Sequence, residues 1–319
     1  MSNATNRLNN FIKRQTLGES GYLEISKHRK YDHDETKYDD AFQYKVLEHD
    51  LKAGKGVLRA TKLHNIDTSG GVLEFACGTG RLSTGLIKYF DPKKTLITDA
   101  SSIFLDILKT KLAKNNLKSP HLGILRFEDI KKLPNNSLSL ILLRSALHHI
   151  DRYDLFIKEA SKKLIKNGAI ICQEPLREGI LTLGMLSLTA SKLCVDKEIK
   201  TDLTHMARTA HFYCREGADK TNDEDKHVFG VNDILQAANA ADLKLEFYAN
   251  FVLEDFSDDN LPKFNFLDFC KTYLSSCMSF KDKTVKYFIN ETKDEIDYIN
   301  TLCESNRMPE ASGVFLLKK

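Results

Sequence analysis

Tryptophan is absent from this chain, and so is any run of about 18 apolar residues. The first absence carries no functional meaning. The second predicts that no helix of the protein spans a membrane. Seven cysteines include no CxxC pair and no Cys/His ligand spacing. Their odd number fits a reducing compartment better than a disulfide framework. A strong charge of either sign is also missing. Lysine and arginine number 47 against 44 acids, a net charge of +3, and the lysines are spread along the chain. That gives no electrostatic case for nucleic acid or an acidic membrane. The opening MSNATNRLNNFIKR lacks the apolar core of a secretory signal, so a cytoplasmic location is expected. No internal repeat or low-complexity segment occurs. What is present is ordinary globular composition, 42% hydrophobic and 29% charged over 319 residues. That suits one large domain or two small ones.

Residues 1–67 are polar and read as a helical N-terminal lid, with an amphipathic helix inside 42–63. The pattern then changes to short apolar strands alternating with helices. Strands are predicted at GVLEFA (71–76), TLITDA (95–100), HLGILRF (121–127), SLSLILLRS (137–145) and GAIICQEP (168–175). Helices fall between them, the last over 151–168 and closed by Asn167-Gly168. Past Pro175 the regularity stops. A helix and strand return at 231–253, and ASGVFLLKK (311–319) suits a last strand. The expected fold is α/β: a Rossmann-like, doubly wound, mainly parallel seven-stranded sheet. Residues 68–319 would form its domain, with helical insertions at about 176–227 and 255–310.

In such a sheet, ligands bind beyond the C-terminal strand ends, near the point where strand order reverses. The first of these five strands ends in E-F-A-C-G-T-G, residues 74–80. Glycines there let backbone N–H groups approach a ligand. As a dinucleotide motif the match is poor, because Ser83 stands where a third small residue packs helix against strand. An acid followed by a glycine-rich turn instead resembles the first motif of the class I S-adenosylmethionine-dependent methyltransferases, with Ala76 in place of the first glycine.

Three further stretches carry the resemblance in order. Asp99 ends LITDAS and would accept hydrogen bonds from ribose hydroxyls, with Ala100 and Ser101 following it. RFEDIKKLP (126–134) resembles the adenine-binding stretch, which implies Asp129 or Glu128 at the adenine amino group and the Ile130 backbone at the ring edge. LILLRSALHHID (140–151) with KNGAIICQEP is similar to the small-molecule branch, which includes quinone-biosynthesis methyltransferases. The implied cofactor is S-adenosylmethionine. Its implied site residues are Glu74, Ala76, Cys77, Gly78, Gly80, Asp99, Ala100, Ser101, Glu128, Asp129, Ile130, Arg144 and Ser145. Asp99 could instead cap the following helix, although Ser101 could do so too. Cys77 reads as a small packing residue.

His148 and His149 follow the fourth of these strands, where an acceptor should meet the methyl group. Adjacent loop histidines cannot both point inward. His148 is expected to face the cleft, as a general base or as cavity lining, and His149 to pack against the scaffold. Glu174 would orient the acceptor or pair with Arg177. His205, His211, Tyr213 and His227 lie in the insertion expected to cover the cleft, without metal-ligand spacing, and no metal is expected. Tyr31 and Tyr38 could reach the cofactor from the lid. The apolar run 179–195 is either a buried helix or the wall of a hydrophobic pocket.

The resemblance implies methyl transfer to an O, N or C nucleophile on a small acceptor, hydrophobic metabolites included. Nucleic acid is not the expected partner, since no Asn/Asp-Pro-Pro-aromatic motif follows the fourth strand and no Pro-Cys nucleophile occurs. The 255–310 helices are a candidate homodimer interface. Two alternatives stay open: a non-catalytic S-adenosylmethionine binder and a nicotinamide-dependent oxidoreductase.

Overall fold

Short segments that are apolar throughout form the middle of the protein, because a strand covered on both faces needs no polar side. The structure is a computed structural model, and it describes residues 3–27, 46–215, 219–220, 225–258, 264–305 and 309–319. Strands β2 (Gly71–Glu74), β3 (Thr95–Asp99) and β5 (Leu138–Arg144) are buried along nearly their whole length. With β1 (Leu23–Glu24), β4 (His121–Ile124), β6 (Leu164–Pro175), β7 (Lys244–Ala249) and β8 (Ser312–Lys318) they form one sheet. Its order is β1-β4-β3-β2-β5-β6-β8-β7. Pairing is parallel from β1 to β6, and β8 runs antiparallel to both its neighbours. The chain steps outward from β2 to β4, then crosses back to β5. The reversal of strand order therefore falls between β2 and β5.

All seven expected strands are present. The two-residue β1 is an addition at the sheet edge beside β4, drawn from the N-terminal segment. That segment also departs from a simple lid. Helix α1 (Asn3–Arg14) buries Leu8 and Ile12 in the main core, and Thr5 Oγ1 donates to the Ser69 carbonyl at 2.6 Å. Helix α2 (Val46–Leu63) crosses α3 (Ser83–Tyr89) where Gly54 meets Gly85. A Cβ on Gly54 would come within 2.2 Å of the Gly85 backbone. Tyr31 and Tyr38 lie outside the described residues.

The Asn167-Gly168 pair does not close a helix. Helix α5 (Tyr153–Lys163) ends earlier, and β6 begins at once with Leu164. The cause is Lys163, whose buried Nζ donates to the carbonyls of Lys131 and Leu133 and to Asn135 Oδ1. Asn167 takes φ +61° within the strand, beside an irregularity in the pairing with β5.

Helix α4 (Ser102–Lys114) follows β3, and α8 (Val231–Asn239) precedes β7. The remaining helices form a second layer: α6 (Arg177–Leu193), α7 (Lys197–Cys214), α9 (Phe266–Thr272), α10 (Asp282–Glu291) and α11 (Lys293–Glu304). They share their own core, including Leu183, Leu203, Met206, Phe266, Phe288 and Ile296. The two insertions thus pack on each other. The apolar run 179–195 is only half buried within it: Ile180 and Leu183 face inward, while Met185 and Leu188 are exposed. No helix among the described residues is long and apolar enough to cross a membrane.

Candidate active site

The chain leaves β2 at Glu74 and turns at the sheet's reversal point. Ala76, Gly78 and Gly80 take φ values of +53°, +52° and +89°. A glycine holds such angles without cost, whereas the Ala76 Cβ is strained there. The two glycines serve different ends. A Cβ on Gly78 would meet nothing within 4 Å, so its backbone lies open to the cleft. A Cβ on Gly80 would come within 2.4 Å of Leu108, which makes Gly80 a packing glycine.

A cleft opens above this turn. Of the expected residues, Glu74, Ala76, Cys77, Gly78, Asp99, Arg144 and Ser145 line it. Thr79, Arg81, Leu82, Phe104, Ala146 and His149 line it as well, and sequence reasoning missed these. Phe104 had a legible signal. It sits on the first turn of α4, five residues after Asp99, where a helix leaving the strand end turns back over the cleft.

Both Asp99 oxygens are anchored by backbone. Oδ2 accepts from Gly78 N at 2.8 Å and Oδ1 from Ser101 N at 2.9 Å. Ser101, not Asp99, caps α4, its Oγ accepting from Ile103 N at 3.1 Å. Glu74 is buried and accepts from Ser83 Oγ at 2.6 Å. Ser83, which spoils the dinucleotide pattern, is therefore the partner of the motif's acid. Burial pushes the Glu74 carboxyl up to about 8 against that hydrogen bond, with Asp50 and Asp99 adding and Arg144 opposing. Asp50 on α2 is raised to about 7 by burial, opposed by Arg144, Lys111 and Arg81. Its Oδ2, like the Thr79 hydroxyl in the cleft wall, has no hydrogen-bond partner among the described residues. Arg144 pairs with Glu254. Gln173 Oε1 holds that neighbouring turn by accepting from Leu253 N at 2.9 Å.

The expected adenine residues are not among those lining this cleft. Asp129 accepts from Ser26 Oγ at 2.7 Å and pairs with Lys132 at 3.1 Å. These bonds hold its carboxyl below the usual range even though burial pulls the other way. Glu128 pairs with Arg126 at the surface. Ile130 is buried in the main core. The single-turn helix Phe127–Lys132 faces the N-terminal segment, an arrangement invisible without knowing where Ser26 lies. Ala100 and Ser101 are also not among the lining residues, Ser101 being occupied as the cap.

The two histidines exchange their expected places. His149 lines the cleft, while His148 is only 9% exposed. His148 Nδ1 meets Glu174 Oε2 at 2.5 Å. Glu174 Oε1 accepts from Ala146 N (3.1 Å) and Leu147 N (2.8 Å), so this carboxylate closes the turn after β5. It makes no pair with Arg177, which instead meets Asp233 at 2.7 Å. Asp225, from the end of the first insertion, approaches both histidines. Burial disfavours charge on His148, but the Glu174 and Asp225 carboxylates outweigh it and raise its pKa to about 10.

His205 and Tyr213, with Arg208, Phe212, Cys277 and Met278, line a second cavity between α7 and the wide turn Tyr273–Cys277. Cys277 lies within electrostatic reach of both Asp225 and Arg81, so this cavity neighbours the cleft. His227 packs edge-on against Tyr153, and His211 is exposed. Cys77 is buried, and burial holds its thiol well above the usual range.

A doubly wound sheet with an acid-flanked glycine turn at its reversal point defines an α/β enzyme with a nucleoside-type cofactor cleft. The comparisons narrow this class. Residues 73–172 match the family model of a methyltransferase domain. Residues 73–172 are accordingly a methyltransferase domain, and S-adenosylmethionine is the cofactor that such a domain calls for. Solved structures similar to it include the YcgJ protein from Bacillus subtilis, 12% identical over 83% of this chain and 98% of that one, TM-score 0.48. The plantazolicin methyltransferase BamL is 12% identical over 99% and 97%, TM-score 0.48. An S-adenosylmethionine-dependent methyltransferase from Clostridium acetobutylicum is 24% identical over 46% and 52%, TM-score 0.33. No curated protein matches the chain.

Proposed function

We propose that the protein methylates a small acceptor carrying an aromatic or apolar body, held in the cavity between α7 and residues 273–278. The observation that carries this reading is the adjacency of two unlike pockets. One, at the strand ends, is rich in fixed acids and backbone N–H groups. The other is lined by Phe212, Tyr213 and Met278, with Arg208 and His205 at its wall.

The residues of the first pocket fit S-adenosylmethionine. Asp99, held at the strand end by Gly78 N and Ser101 N, stands where ribose hydroxyls would donate to it, and Phe104 offers an apolar face for the adenine ring. The orphaned Thr79 hydroxyl and the open Gly78 backbone suit the polar methionine end. Glu74 and Asp50 stand where a cationic amino group would lower their cost of ionisation, and Arg81 suits the cofactor carboxylate. When bound, the cofactor supplies a methyl group on an electrophilic sulfonium. The chain's own task is then alignment and exclusion of water. The helical layer built from 176–227 and 255–310 serves as the cover, and its apolar cavity wall holds the acceptor against the cleft. Arg208 would bind an anionic group on the acceptor.

The test is methyl transfer from radiolabelled cofactor to a panel of small aromatic and aliphatic acceptors, each with and without a carboxylate. Turnover should favour aromatic acids, and Arg208→Ala should raise KM for these alone. Turnover on none of the panel, with S-adenosylhomocysteine still bound, would overturn the small-acceptor reading.

A further inference from the structure

The structure assigns a divalent transition-metal site, zinc by preference, to His148, His149 and Asp225 at the edge of the cofactor cleft. Asp225 Oδ1 lies 3.4 Å from His148 Nε2 and 3.1 Å from His149 Nδ1. The three donor atoms fall within 4.8 Å of one another. Ligand atoms held at about 2.0–2.2 Å around a tetrahedral zinc stand about 3.4 Å apart. The first distance exceeds the usual N–H···O range of about 2.7–3.2 Å. The second falls inside that range, so one contact is spaced as a ligand pair and the other as a hydrogen bond that an ion would replace.

Its surroundings are those of a built site. Glu174 Oε2 takes His148 Nδ1 at 2.5 Å, and that contact orients the ring so that Nε2 faces Asp225. Metal-bound histidines generally have such a carboxylate behind them. Glu174 is itself held by two backbone N–H groups. The segment carrying Asp225 is clamped as well: Lys226 N and His227 N both donate to the His148 carbonyl, at 2.8 and 3.2 Å. Two imidazoles and a carboxylate form a ligand set typical of first-row transition ions. Three ligands among the described residues would leave a coordination position open, as in catalytic zinc sites. Because His149 lines the cleft, that position would open toward the cofactor cleft. An acceptor hydroxyl or thiol bound there would release its proton to water and present the oxygen or sulfur lone pair. That last role rests on the methyltransferase reading above; the binding of the ion does not.

The full chain, stripped with chelator, would be titrated with Co2+ while visible d–d bands are followed, then with Zn2+ in competition. One equivalent of Co2+ should bind. Asp225→Asn and His149→Ala should each weaken it at least about 10-fold, and Glu174→Gln by about 10–100-fold, the usual effect of losing a ligand's carboxylate support. Circular dichroism reports whether each variant folds. Should a variant fail to fold, X-ray absorption of the wild-type zinc form decides, with two imidazole nitrogens and one carboxylate oxygen expected. Absence of Co2+ bands in the wild type, equal affinity in all variants, or a sulfur ligand would overturn the site. S-adenosylhomocysteine is titrated in parallel. If it binds where cobalt does not, the metal site alone falls; if cobalt binds where it does not, the cofactor reading alone falls.

Discussion

The rim of the sheet and the helical layer above it hold their chemistry in opposite ways. At the rim, side chains are fixed by backbone groups only a few residues or one strand away: Asp99 by Gly78 and Ser101, Glu174 by Ala146 and Leu147, Ser145 N by the Gln173 carbonyl at 2.8 Å. In the helical layer the polar residues stand on the surface of a separate apolar core. There, partners such as Arg208 and Cys277 lie far apart in the chain. A site built on strand ends repeats wherever that sheet geometry repeats. A site built between packed helices depends on the particular core beneath them, which is why cofactor and acceptor halves differ so much in legibility.

The comparison can be broken most forcefully at Glu174. Glu174→Ala leaves two buried N–H groups unpaired and deprives the buried His148 of the nearer of its two carboxylates. Unfolding in urea should show a loss of about 3–5 kcal/mol. A loss below 1 kcal/mol would mean that the rim is not held as described. Next in size, Asp99→Ala should weaken S-adenosylhomocysteine binding by about 1–3 kcal/mol in calorimetry. Its natural contrast is Asp129→Ala, which should leave that affinity unchanged, because Asp129 is spent on Ser26 and Lys132. Equal losses in the two variants would erase the distinction drawn between them.

Smaller effects sharpen the picture. Burial raises Glu74 to about 8 in the folded protein, above its usual 4.5. Below pH 4.5 both folded and unfolded forms carry the proton, and the contribution is fully present. As pH rises toward 8 the unfolded chain releases the proton first, so that contribution is lost. The stability difference between wild type and Glu74→Gln, measured without cofactor at pH 5 and pH 8, should therefore shift in favour of the variant at pH 8. A pH-independent difference would show that Glu74 ionises normally. Smallest of all, Ala76→Gly should stabilise by about 0.5 kcal/mol, the relief of a left-handed alanine less the added unfolded-state freedom of glycine. Thermal melts resolve a change of that size, and a destabilised variant would contradict the strain.

Much of the rim could be read directly. Seven strands, the turn after β2, and Glu74, Asp99, Arg144 and Ser145 at the cleft follow from short-range patterns: an apolar run, a glycine pair, an acid at a strand's end. What the 126–134 stretch meets could not be read from it, because its partner Ser26 comes 100 positions earlier in the chain. His148 and His149 misled for a related reason. Their order in the chain leaves open which ring faces out, and the choice was made by Glu174 on the neighbouring strand and Asp225 from the insertion.

The residues alone determined the alternation of strand and helix, the parallel sheet and the place of its ligand turn, because hydrophobic periodicity and glycine conformation act over a few positions. Only the tertiary structure decided that Ser83 serves Glu74, that Lys163 ends a helix before its apparent stop, and that two histidines meet one aspartate beside the cleft. Those pairings join segments up to 77 positions apart, and no local propensity encodes where distant segments meet once their apolar faces are buried.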